Sequence, residues 1–189
     1  MLSPEDRKTL LLIARRALES ALGVAAGPAP AVTSEALSRA CGCFVTLHNG
    51  EDLRGCIGTF TARPPLFRAV REMAGAALRD PRFLDRPVTA RELPDIRIEI
   101  SVLAPLEKCA DPMKDVELGR HGICIEGPYG SGCFLPQVAT ETGWTKEQFF
   151  RHCCAHKAGL APDAWKDPDT TVYRFEAEVF GEKDFEDDP

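Results

Sequence analysis

The sequence predicts an α+β chain made of two packed hairpin–helix–strand subdomains with mixed or antiparallel sheets. Three observations carry this. Short apolar runs flank glycine-containing turns at 48–50 and 127–130, an apolar stripe of helical period runs from Pro65 to Arg79, and strict alternation marks Ile96–Val102 and Val172–Phe180. Each half repeats the order hairpin, helix, strand. Each return strand also carries a glycine–cysteine pair, Gly55-Cys56 and Gly132-Cys133, which suggests an internal duplication. The subdomains divide at about residues 1–106 and 107–189, and the stretch 103–120 contains no flexible linker. One cooperative domain is expected.

In order, Ser3-Pro4-Glu5-Asp6 opens a helix with a capping hydroxyl, a proline at the first helical position and acids at the positive dipole end. Its apolar stripe at 10, 11, 14, 17, 18, 21 and 22 ends at Gly23. Gly27 to Pro30 is a loop, and Ser34 to Arg39 adds one short helical turn. Phe44-Val45-Thr46-Leu47 is a strand, followed by an Asn49-Gly50 turn with both residues at positive φ and a return through Leu53–Gly58. Asp80-Pro81 stops the Pro65–Arg79 helix, and Arg82-Phe83-Leu84 follows as a loop. Alternation along Ile96–Val102 places Arg97, Glu99 and Ser101 on one face. The second half reads as strand Gly122–Glu126, turn Gly127–Gly130, return Gly132–Leu135, helix Trp144–Gly159 capped by Thr145, and strand Val172–Phe180. An acidic, frayed tail from Gly181 closes the chain.

At 189 residues the chain can bury a real core, and 44% apolar with 28% charged residues is ordinary globular composition. A net charge of −6, with no basic and aromatic stripe, argues against nucleic acid as a partner. No apolar stretch approaches the roughly 20 residues of a membrane span. The opening MLSPEDRKTLLLIARR does not read as a signal peptide, so eight cysteines imply reduced thiols in a cytoplasmic protein. None forms a C-x-x-C, and no metal or cofactor is predicted.

The hexapeptide Leu53-Arg54-Gly55-Cys56-Ile57-Gly58 is the strongest chemical signal. A thiolate is favoured by a nearby cation, here Arg54, which shares a face with Cys56 if the strand is regular. Gly55 and Gly58 leave room for a ligand at the backbone. The commoner reading is also open: cysteine as a small buried hydrophobe and glycines as a bulge. His121, before the second hairpin, is a candidate base for Cys56 or a surface loop histidine. Glu99 is a candidate base or orienting carboxylate, or a solvated residue. His152 and His156, four apart on a helix beside Cys153 and Cys154, have ligand spacing but lack the glutamate of H-E-x-x-H.

The stretch FVTL…LRGCIGTF resembles the signature of the AMMECR family, the group found as protein A of the AmmeMemoRadiSam system. Asp80-Pro81-Arg82-Phe83, Glu99–Leu103, Gly119-x-His121-Gly122, Phe134–Val138, Gly143-Trp144 and Lys157–Leu160 extend the likeness over nearly the whole chain. The resemblance implies two subdomains with a cleft between them. It carries over Arg54, Gly55, Cys56, Gly58, His121 and Gly122 as shared residues, with Glu99 a weaker carry-over. It brings no established activity. It implies a modification pathway with a Memo-like protein and a radical SAM protein as partners. On this reading Cys56 is nucleophile or ligand contact, His121 the proton carrier, and Arg54 the holder of a small anionic group. The alternative is a non-catalytic binding or adaptor module for the same partners.

Overall fold

The computed structural model describes residues 1–60 and 63–185. In chain order the elements are α1 (Pro4–Ala21), α2 (Glu35–Ser38), β1 (Cys43–Asn49), β2 (Asp52–Thr59), α3 (Leu66–Ala77) and β3 (Ile96–Leu103). There follow β4 (Glu107–Lys108), α4 (Pro112–Asp115), β5 (Gly122–Gly127), β6 (Gly130–Phe134), α5 (Pro136–Thr142), α6 (Lys146–Cys153), β7 (Thr171–Phe175) and β8 (Ala177–Gly181). The fold is α+β, with two four-stranded antiparallel sheets ordered β2-β1-β3-β8 and β4-β7-β5-β6.

Two compact units result. The first runs Met1–Leu103 and takes back the chain from Glu178, and the second is Ala104–Ala177. In the first unit, Ser3 caps α1 as a full capping box with Asp6. The apolar stripes of α1 and α3, including Leu10, Leu18 and Val70, pack on Val45, Leu47 and Ile98 of the sheet. In the second, Phe149, Phe150 and Cys153 of α6 pack with Ile123, Ile125 and Val172.

Several boundaries differ from expectation, each for a local reason. The first hairpin turns at Gly50-Glu51 and not at Asn49-Gly50, because Asn49 still pairs with Asp52. Only Gly50 takes positive φ (59°), the preference of a turn with glycine at its first central position. The helix expected over 144–159 starts after the cap Thr145 and widens into one π turn over 154–158 before Gly159. Alternation over 172–180 conceals a change of sheet: β7 ends at Phe175, and β8 joins the other sheet after Glu176. Glu182–Phe185 form an ordered 3-10 turn, with Glu182 bonded to Arg15 and to the Ile98 N–H; the rest of the expected frayed tail, 186–189, lies outside the described residues.

Both units place the return-strand glycine alike. A Cβ on Gly55 would run into the Ala77 carbonyl at the end of α3, and one on Gly132 into the backbone of 157–158. Each glycine therefore faces its helix end, and the next residue, Cys56 or Cys133, faces the other side of its sheet. The cross-strand rows match too: Cys56–Thr46–Glu99 in the first unit, Cys133–Cys124–Tyr173 in the second. That correspondence supports the internal duplication read from the sequence.

Candidate functional site

Cys56 lies on the edge strand β2, where backbone groups facing away from β1 need partners. Asp80 and Arg82 supply them. The Cys56 N–H donates to Asp80 Oδ2 at 2.9 Å, and Arg82 Nη2 donates to the Cys56 carbonyl at 3.3 Å. Both backbone groups point outward, so Cys56 and Thr46 form a non-hydrogen-bonded pair, the closer of the two antiparallel spacings. The Thr46 hydroxyl accordingly donates to Cys56 Sγ at 3.3 Å. Glu99 opposes Thr46 on the far side, in the same row of the sheet.

The clamp is itself braced. Asp80 is 2% exposed and accepts from the N–H, Nε and Nη2 of Arg82 at 3.0, 3.0 and 2.6 Å. The Arg82 guanidinium holds the Asp80 carboxyl at a pKa of about 2, against the pull of burial. Arg82 remains half-exposed, with its guanidinium carbon 5.4 Å from the centroid of the Phe83 ring.

Arg54 is placed differently from the regular-strand expectation. Gly55 opposes Leu47 while Leu53 opposes His48, so Arg54 is the extra residue of a β-bulge and does not share a regular face with Cys56. It forms a two-point ion pair with Glu92, Nε–Oε1 at 2.6 Å and Nη2–Oε2 at 3.1 Å, and also bonds the Arg86 carbonyl at 2.9 Å. Asn49 joins the same carboxylate at 3.2 Å. Arg54 thus braces the hairpin, and Arg82 is the cation beside Cys56. Asp80-Pro81-Arg82-Phe83 was visible in the sequence, but nothing local connects it with a strand 24 residues earlier.

The glycines are explained by close packing. Gly58 leaves room for the Phe44 ring, and Gly122 for the Phe175 ring and the Phe134 carbonyl.

His121 belongs to the second unit and Cys56 to the first. His121 is 7% exposed, and its Nδ1 accepts from the Glu117 N–H at 3.0 Å. That bond assigns the proton of the neutral ring to Nε2, which lies 3.8 Å from Glu176 Oε1. Burial first, then Arg174 and Arg120, lowers its pKa and keeps it neutral at pH 7. Glu176 is also the carboxylate partner of Arg120, at 2.9 Å.

The His152/Cys153/Cys154/His156 cluster divides between two environments. Cys153 and Cys154 are buried in the core, while the His152 ring stacks between Trp144 (4.1 Å between centroids) and His156 (5.3 Å). Among the described residues no group of three or more His, Cys, Asp or Glu is arranged to hold a metal ion.

The chain as a whole has known relatives. The AMMECR1 family profile matches residues 11–180, and the chain belongs to that family. A protein of Methanothermobacter thermautotrophicus is 43% identical over 188 residues, 96% of each chain. Protein MJ0810 of Methanocaldococcus jannaschii is 44% identical over 149 residues, 75% of this chain and 73% of its own. The crystal structure of the uncharacterized protein PH0010 from Pyrococcus horikoshii superposes with a TM-score of 0.82 at 39% identity, covering 92% of this chain and 90% of that one. None of these names carries a reaction, so family membership places the chain without supplying its chemistry.

Proposed function

We propose that this AMMECR1-family chain works through a thiol site on its first unit, with Cys56 as the nucleophile or covalent contact for an anionic small molecule or modified group. The clamp on Cys56 carries this reading. A strand residue whose N–H and carbonyl are fixed by a buried aspartate and its arginine, and whose sulfur accepts from Thr46, is held in one orientation beside a half-exposed guanidinium. Arg82 takes the anion-holding role expected of Arg54, and Glu99 lies one strand beyond Thr46 as the carboxylate of the row. The proposal keeps His121 as the proton carrier, and a Memo-like protein and a radical SAM protein as partners in a modification pathway, on the family resemblance.

Three thiols are half-buried: Cys41, Cys56 and Cys133. Burial raises the pKa of Cys41, and Cys124 raises that of Cys133. Brief treatment with iodoacetamide at neutral pH, mapped by mass spectrometry, should therefore modify Cys56 faster than most of the other seven cysteines. Protection of Cys56 until denaturation would leave only a structural role. His121→Ala should move the Cys56 alkylation profile to higher pH, and an unchanged profile removes His121 from the site.

A further inference from the structure

The matching rows of the two units place a second pair of chemical groups where the first unit has Cys56 and Thr46. There, in the second unit, both partners are cysteines. Cys124 on β5 directly opposes Cys133 on β6. The hairpin closes at the pair Gly127–Gly130, and antiparallel rows alternate between hydrogen-bonded and open pairs. Three rows back from the closing pair, Cys124–Cys133 is an open pair, with Cα atoms about 4.5 Å apart by the standard geometry. That lies within the range of about 4.4–6.8 Å that a disulfide spans.

We propose that Cys124 and Cys133 form a dithiol site that closes to a cross-strand disulfide by exchange with a low-molecular-weight disulfide. Cys133, half-buried where Cys124 is 4% exposed, takes the first step. Its thiol first loses its proton to solvent, and the thiolate attacks one sulfur of the small disulfide and expels the other half, which leaves as a thiol after taking up a proton. Cys124 then loses its proton and attacks Cys133 Sγ in the mixed disulfide. The protein S–S bond forms and the second small thiol departs. In sum two protein thiols are oxidised by two electrons, and one small disulfide is reduced to two thiols. Cys153, whose thiol donates to the Gly132 carbonyl at 3.5 Å, is fully buried, and burial raises its pKa well above the usual thiol range. It is a poor competitor for the second step.

Trypsin leaves both cysteines in one peptide, His121–Lys146, because no lysine or arginine lies between. The full chain is incubated with glutathione disulfide, quenched with N-ethylmaleimide, and digested without reduction. The proposal predicts that this peptide appears unalkylated and lighter by two hydrogens than its dithiol form. It also predicts that Cys124→Ser halts at a stable glutathione adduct on Cys133. Full N-ethylmaleimide labelling of both cysteines after oxidant, a lasting adduct on Cys133 in the unsubstituted chain, or a bond from Cys133 to Cys153 would each overturn it. The Cys56 measurements are read on a different peptide, so either result stands without the other.

Discussion

Asp80 shows how much one side chain can organise. It joins the Cys56 N–H to Arg82 and is nearly removed from water. Its folded pKa of about 2 lies below the ordinary 3.8. The group therefore favours the folded state fully above the unfolded value, and that contribution drains away as pH falls from about 4 to about 2. Replacing Asp80 with Asn should cost about 2 kcal/mol at pH 7, with little difference remaining near pH 2. Urea titrations at the two pH values check this, and equal losses at both would contradict it. At this scale the sequence was partly legible. Cys56 between two glycines stood out as a candidate in the sequence, and the resemblance added His121 as a second one. The cation was misplaced, because a bulge between Leu47 and His48 turns Arg54 to Glu92 and no periodicity announces a bulge.

Among the elements, the hairpins and their helices form matched pieces. Gly55 allows β2 to lie against the last carbonyl of α3, and that backbone cannot yield as a flexible side chain would. Gly55→Ala should destabilise the chain by about 1–3 kcal/mol through overpacking, seen as a lower thermal midpoint. An unchanged midpoint would show that the close approach is not needed. Gly75, in the interior of α3 with open space around it, is the control, since alanine there should be neutral or stabilising. The helix caps Ser3 and Thr145, the α3 stripe and the alternation of β3 were readable because each is a local pattern. The helix α5 was missed: its seven residues from Pro136 bury only Pro136 and Ala139, too few for a helical period to show.

For the whole molecule, the decisive feature is that the first unit is discontinuous. The chain leaves it after Leu103 and returns at Glu178. β8 completes that unit's sheet, Phe180 is 2% exposed in its core, and Glu182 pairs with Arg15. Truncation after Ala177 should then expose amides of β3 to rapid hydrogen exchange, because losing a buried phenylalanine alone costs about 3–5 kcal/mol of a typical 5–15. Slow exchange persisting across 96–103 in the truncated chain would contradict this. The sequence could not show the return, since one unbroken alternation over 172–180 serves two different sheets.

The most direct test of the thiol site is the pH dependence of Cys56 alkylation in the unsubstituted chain and in Arg82→Gln. If Arg82 is the cation that favours the thiolate, its removal should slow Cys56 at pH 7 by about three- to tenfold and move the profile to higher pH. Cys41 serves as the internal reference and should be unaffected. Coincident Cys56 profiles in the two proteins would contradict the account, leaving a clamped cysteine with no cation acting on its sulfur.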